Sequence, residues 1–330
     1  MRLQIVILLL GMTVVGQSAD HTIFPVGRAT KFEQALEDAE IFLEPLNTLI
    51  RQNEGFLYIA NQKQGRVCIL DLDTFKVVGR FGHHGQGPTE SQYISDLYVT
   101  NKRVYVLDGQ QKKVMVFSID GRFKRSILLE GQARQLAVDE RNHRLVLNAP
   151  ARDTSVFFVN MDTGKLETYG TMPKMGNPLL DGRYFSQGIP IVAGKYILFA
   201  RQFYPDVILL DRRSLKPIKD LMICPAKYNR RFKKINRVLA NGLGDQEGMS
   251  SFAIAIIRDG GNAVVCSSNY ATRISLNGLS FENYIFAQKQ PDGKAFYGAF
   301  RHFFIVDNKL YAMRDEQWYI YPLKELKPAG

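Results

Sequence analysis

The chain has 330 residues, 45% of them hydrophobic and 23% charged, with a formal net charge of +11. This is ordinary globular composition, and a chain of roughly 300 residues buries about three-quarters of its unfolded surface, so no disulfide framework is needed. The positive charge favours acidic partners, but no nucleic-acid-binding module accompanies it, and no nucleic-acid partner is expected.

Residues 1–19 read as an export signal rather than as structure. Arg2 supplies a minimal positive start, Ile5–Val15 is an apolar run too short to span a bilayer, and Gly16, Ser18 and Ala19 supply small residues for cleavage. No Cys lies near that junction to carry a lipid, and no later stretch is long and apolar enough to span a membrane. The expected location is the periplasm or beyond, without a lipid anchor. Cys68, Cys224 and Cys266 sit in separate apolar runs, and an odd count leaves at least one free thiol. All three read as small buried hydrophobes.

Thr22–Val26 is a lone strand candidate. Lys31–Ala39 places Phe32, Ala35, Leu36 and Ala39 on one helical face. A repeating unit of four short strands then begins. Its first copy runs Leu46–Arg51, Phe56–Ala60, Arg66–Leu72 and Lys76–Phe81. The second runs Tyr93–Thr100, Arg103–Leu107, Lys113–Ile119 and Arg122–Leu129. The third runs Arg134–Val138, Arg144–Asn148, Ser155–Met161 and Lys165–Tyr169. The fourth runs Ser186–Val192, Tyr196–Arg201, Asp206–Asp211 and Leu215–Ile223. The fifth runs Phe252–Ile257, Asn262–Ser267, Ala271–Leu276 and Leu279–Ala287. The sixth has only His302–Val306, Lys309–Met313 and Trp318–Leu323. Asp120-Gly121, Asp259-Gly260, Asn277-Gly278 and Asp292-Gly293 mark turns.

Six units at this spacing predict an all-β, six-bladed β-propeller with four-stranded antiparallel blades, occupying residues 20–330 as a single domain. The sixth unit lacks a fourth strand, so an N-terminal strand, assigned to Thr22–Val26, is expected to close the last blade. Two β-sandwich domains would need a linker rich in Pro, Gly and Ser, and none occurs.

Gly79-Arg80-Phe81-Gly82-His83-His84-Gly85-Gln86-Gly87-Pro88-Thr89-Glu90 resembles the G-x-G-x-G-P-x-E signature of six-bladed propeller proteins abundant in Bacteroidetes, a family related in fold to NHL and TolB-type propellers. Val104–Phe123 is similar to that family's blade sequence, as is Ile41–Leu46 to its aliphatic-Pro-Leu-Glu opening. Thr89 stands where the family often has Gly, and the lipoprotein Cys of many members is missing. The resemblance implies architecture and export; the family is largely without assigned activity.

The glycines of Gly82–Pro88 are flanked by strands, so a phosphate cradle at a helix start is excluded, and the stretch reads as a compact inter-blade loop. His83 and His84 diverge as neighbours, and no third metal ligand is placed by spacing; no metal or other cofactor is expected. A basic helical insertion is expected at about 225–249. Within it Lys227, Arg230, Arg231, Lys233, Lys234 and Arg237 form a candidate docking surface for an acidic partner, glycan or anionic membrane. Propeller ligands sit at the channel mouth, and the loops between second and third strands and between blades offer His84, Arg152, Arg201, Tyr204, Asn269, Tyr270 and Arg314. Arg with aromatic neighbours suits an anionic or sugar-like ligand.

No H-E-x-x-H, C-x-x-C, G-x-S-x-G or phosphate loop is present, and Asp96 is a rare acid on an inner strand. The expected function is a monomeric, non-catalytic binding or scaffold protein presenting a loop face to a protein or glycan. The alternative is a propeller hydrolase or lyase acting on a sugar, lactone or peptide.

Overall fold

The structure, a computed structural model, describes residues 19–41, 43, 47–148, 156–170, 187–202, 206–223, 225, 253–287, 292, 300–314 and 316–323. It is a six-bladed β-propeller. Residues 1–18 of the expected export signal 1–19, Cys224 and, beyond residue 225, the expected basic insertion lie outside the described residues.

Blade one comprises Thr48–Asn53, Phe56–Asn61, Arg66–Asp71 and Val77–Phe81; blade two Ile94–Val99, Arg103–Asp108, Lys113–Ser118 and Phe123–Leu128. Blade three comprises Gln135–Asp139, Arg144–Asn148, Val156–Asn160 and Leu166–Gly170; blade four Gly188–Ala193, Tyr196–Arg201, Asp206–Asp211 and Pro217–Met222. Blade five comprises Ala255–Asp259, Asn262–Cys266, Tyr270–Ser275 and Phe281–Phe286, and blade six begins with Phe303–Val306, Lys309–Arg314 and Gln317–Pro322. In every blade the strands pair antiparallel in chain order, and the first strands of successive blades meet around a central channel.

The middle strands are apolar on both faces because each blade is sandwiched between two others. Arg103–Asp108 is buried from Val104 onward, and Tyr196–Arg201 throughout. The described residues form one apolar cluster in each of the six gaps between blades. Between blades six and one the cluster takes in the helix Thr30–Asp38, whose Phe32 and Leu36 pack with Ile50, Ile59, Phe304 and Trp318. Cys68 and Cys266 are free and buried, as small hydrophobes would be.

The ring closes through the N-terminal segment, with a shift from the expected register. Gly27–Arg28, not Thr22–Val26, pairs antiparallel with Gln317–Pro322 as the fourth strand of blade six. Val26 and Ala29 add backbone bonds to Ile320 and Trp318, at 2.8 and 2.9 Å. The preceding strand Ala19–Ile23 runs parallel along Phe281–Phe286, the outer strand of blade five. The segment thus serves two blades, which alternation in five residues could not reveal.

The turns between third and fourth strands share a device. The side-chain Oδ1 of Asp71, Asn160 or Asp211 accepts bonds from the backbone and hydroxyl of Thr74, Thr163 or Ser214, three residues on. The next residue, Phe75, Gly164 or Leu215, then takes a positive φ. In blade two Gly121 plays that part at φ +88.

Polar side chains tie blade to blade near the axis. Asp96, fully buried in blade two, accepts from the Arg51 guanidinium of blade one, from the Leu97 backbone at 2.8 Å and from the Leu136 backbone of blade three at 2.8 Å. Burial pushes its carboxyl up; Arg51 and the two backbone N–H groups pull it down. Gln52 treats the backbone of blade six as a strand partner, donating to Ile305 O and accepting from Ile305 N at 2.7 Å. His302 is buried in blade six, with its ring stacked 6.5 Å from Trp318 and Nε2 without a partner among the described residues. Burial, with Arg301 and Arg51 nearby, lowers its pKa to about 4.

Asp96→Ala, which strands the Arg51 charge and two backbone donors, is expected to lower unfolding free energy by about 3–5 kcal/mol in urea titrations. Gln52→Ala is expected to cost about 1–3 kcal/mol. For His302 the folded pKa lies below the unfolded one, so its contribution is intact above about pH 6.5. It is lost as pH falls towards about 4, by roughly 3 kcal/mol in all. His302→Gln should flatten that part of the stability–pH curve; an unchanged slope would remove the assignment.

Candidate functional site

A cavity of about 310 Å³ opens into the central channel where the inner strands end, on the face made by turns between first and second strands. Tyr98, Thr100, Lys102, Glu140, Arg212 and Arg258 supply its polar lining; Ile50, Leu136, Ile191 and Ile256 its apolar wall.

Inner strands end here because Asn53–Gly55, Thr100–Lys102 and Gly194-Lys195 turn the chain into each second strand. Those turns bring the backbone to the axis and tip polar side chains around the mouth. Tyr98 reaches from blade two to blade four, where its Oη accepts from Val192 N at 3.3 Å. Burial pushes its phenol up to about 12, opposed by that N–H and by the charges of Arg258 and Arg212.

The acids of this mouth are already engaged. Asp139, at 0% exposure, accepts from Arg212 Nε at 2.8 Å and from the Asn142 amide at 2.7 Å. These bonds hold its carboxyl low against the opposing effect of burial, which is the largest single influence. Arg212 also donates to Gly194 O at 2.9 Å, so it clamps blade four to blade three. Glu140 accepts from Thr100 Oγ1 at 3.0 Å and Tyr105 Oη at 2.7 Å. Lys102 and Arg258 are different: both are exposed, and neither side chain has a hydrogen bond or ion pair among the described residues. The mouth therefore carries two uncommitted cations over carboxylates that are bound in place, an arrangement suited to holding an anion.

Of the residues expected to bind ligand, Arg201, Asn269, Tyr270 and Arg314 stand at turns between second and third strands and His84 stands between blades, on the face opposite this mouth. Arg152 and Tyr204, like Lys227, Arg230, Arg231, Lys233, Lys234 and Arg237, lie outside the described residues. Arg201 is 2% exposed and grips Asp206 with both arms of its guanidinium, Nε at 2.6 Å, closing the base of a hairpin. Arg314 is buried with its guanidinium 4.9 Å from the centre of the Phe300 ring. Tyr270 is buried, and the Asn269 amide donates to Ser268 Oγ at 3.1 Å. His84 is exposed, its Nδ1 3.0 Å from Lys63 O.

The glycine loop is built as a compact connection. Gly82 has φ +75, and a Cβ there would sit 2.5 Å from Gly65 O. Glu90 accepts from Gly87 N at 2.8 Å and meets His83 Nε2 at 3.0 Å, which holds its carboxyl below the usual range. Gln111 and Lys113 of blade two donate to Gly85 O and Gly87 O, each at 2.8 Å. Buried Asp108 receives Ser91 Oγ at 2.9 Å and Gln92 N at 2.7 Å. Among the described residues no three His, Cys, Asp or Glu side chains form a metal-binding group.

Sequence reasoning passed over Tyr98, Lys102, Arg212 and Arg258. The available signal was position: Tyr98, Lys102 and Arg258 stand at or beside the end of an inner strand, and Arg212 stands in a third-to-fourth turn on the same face.

Comparison with known proteins agrees with the fold. No curated protein matches the chain. A crystal structure from Bacteroides fragilis NCTC 9343, of a protein named "putative exported protein", superposes with TM-score 0.56 at 14% identity, covering 84% of this chain and 90% of that one. Kuenenia stuttgartiensis hydrazine synthase gives TM-score 0.49 at 13% identity, covering 80% and 72%. A streptogramin B lyase gives 0.48 at 12%, covering 85% and 84%. Identities this low speak to fold alone, and the last two scores carry no argument. The family model described as "6-bladed beta-propeller" matches residues 40–221, more than half of the chain. With its six blades closed in a ring, the chain belongs to this six-bladed β-propeller family.

Proposed function

We propose that this chain is an exported, non-catalytic binding protein whose ligand carries negative charge, and that the channel mouth around Arg258 and Lys102 receives it. The observation that carries this reading is the division of labour among charges. Asp139 and Glu140 are held by hydrogen bonds that join strands and blades, which leaves them poorly suited to move protons for a substrate. Arg258 and Lys102 are left over and face the cavity. A cavity of about 310 Å³ admits one sugar-acid unit rather than a large polymer segment. An acidic glycan presented end-on is therefore the preferred ligand.

Export rests on the leader pattern of residues 1–19. Among the described residues no helix is long and apolar enough to cross a membrane. The net charge of +11 favours encounter with acidic polymers at low salt.

Calorimetry with the mature chain should show binding of uronic-acid oligosaccharides that weakens with added salt. Arg258→Gln and Lys102→Gln should each reduce affinity by about tenfold, or 1.4 kcal/mol. Neutral oligosaccharides binding equally well, or a double variant that binds like the parent, would overturn the reading. Capture of an acidic protein segment with the same dependence on Arg258 would keep the site and change the ligand.

A further inference from the structure

A second pocket, of about 350 Å³, lies on the flank of blade one, well away from the channel mouth. Its composition follows from strand register. Asn61 sits opposite Thr48 on one side and Arg66 on the other, and Cys68 sits opposite Ile59 and Arg80. Directly opposed residues share a face of the sheet, and rows two residues apart share it too. Thr48, Asn61 and Arg66 thus form one row and Ile59, Cys68 and Arg80 the next, all on one face. Ala39–Ile41, just after the helix, supplies the facing wall.

Two features mark this as more than a packing gap. Thr48 is 5% exposed, and its Oγ1 has no hydrogen-bond partner among the described residues. A buried hydroxyl without a partner is uncommon and destabilising, and one lining a pocket is a donor or acceptor held ready. Arg66 and Arg80 bring two guanidinium groups to the same pocket. Arg80 donates to Ala39 O, while Arg66 has no ion pair or hydrogen bond through its side chain among the described residues. Among the described lining residues Glu40 is the one carboxylate, exposed and without an ion pair among them, set against two guanidinium groups. Burial raises the Cys68 thiol, and the positive charges of Arg80 and Arg66 act against that effect. Register puts Arg66 and Arg80 on the same sheet face as Cys68, and all three line the pocket.

We propose that this flank pocket binds a small oxyanion, with Arg66 and Arg80 holding the charged group, Thr48 Oγ1 and the Asn61 amide bonding its oxygens, and Cys68 forming the floor. A carboxylate and a phosphate present the same oxygens to such a set, and both suit guanidinium forks. The volume fits a sugar acid or an equivalent small organic acid, or a phosphate with a short organic group.

The test uses the mature chain carrying Arg258→Gln and Lys102→Gln, so that the channel mouth contributes nothing. Inorganic phosphate and glucuronate are titrated by calorimetry, with glucose as the neutral control. One of the two anions is expected to bind, and glucose is not. Arg66→Gln should weaken binding by about tenfold and Thr48→Val by about fivefold. Thr48→Val should melt at or above the parent temperature, because it removes an unpaired buried hydroxyl; a merely structural threonine would instead lower it. The bound anion should also slow modification of Cys68 by methyl methanethiosulfonate, read on the Cys68 peptide, while Cys266 in the core of blade five is unaffected. Binding by neither anion below about 10 mM, or binding and protection equal in all variants, overturns the proposal. Phosphate alone binding selects the phosphate class; glucuronate alone selects the carboxylate class. Neither result depends on whether the channel mouth binds an acidic glycan.

Discussion

Closing the ring is the constraint on which the other features rest. Each blade is apolar on both faces, so a row of blades is stable only when the last one covers the first. The join is made at two radii. Near the axis, the Gln52 side chain exchanges two hydrogen bonds with Ile305, putting an amide where a strand would be. Near the rim, Gly27–Arg28 completes blade six, and the helix behind them inserts Phe32 between blades six and one. Phe32 meets Phe304 and Trp318 at ring distances of 4.9 and 5.0 Å, so aromatic rings fill the seam.

The cost of bringing charges inward explains the chemistry of the channel. A buried carboxylate is tolerated only when its oxygens are fully bonded. Asp96 and Asp139 meet that condition by drawing donors from neighbouring blades, which makes each of them a cross-link. Cations obey a looser rule, because long side chains keep their heads near water while their stems pack. Arg258 and Lys102 can therefore stand at the mouth with no side-chain hydrogen bond or ion pair among the described residues. The proposed preference for anions would follow from which charges such an interior can accept.

Blade number, strand order and most strand limits were legible in the sequence, because two-sided burial writes continuous apolar runs such as Val104–Leu107 and Val207–Leu210 between punctuating turns. Ring closure was legible as a missing strand in the sixth unit. Its register was not, because Gly27–Arg28 contributes two residues and no alternation. The turn device built on Asp71, Asn160 and Asp211 was present in the sequence as Asp or Asn followed three residues later by Thr or Ser, and was masked by attention to glycine dipeptides. The site was harder to see. Arg201 and Arg314 look like ligand-binding loop residues because nothing in a linear string shows that one will grip Asp206 and the other cover Phe300. Thr48, Asn61, Arg66, Cys68 and Arg80 become a set only through strand register, which joins residues far apart in the chain.

The rim join between Arg28 and Tyr319 sets an order of assembly. These residues are separated by nearly the whole chain, so the entropy of the intervening loop must be spent before their contact returns anything. Earlier blades can stack as they emerge from the ribosome, but the arc they form has two bare apolar faces, one at each end. Those faces meet only when the last strand arrives and the first segment folds back across it. Completion is therefore a late, single event, the step that turns an open arc of blades into a closed ring.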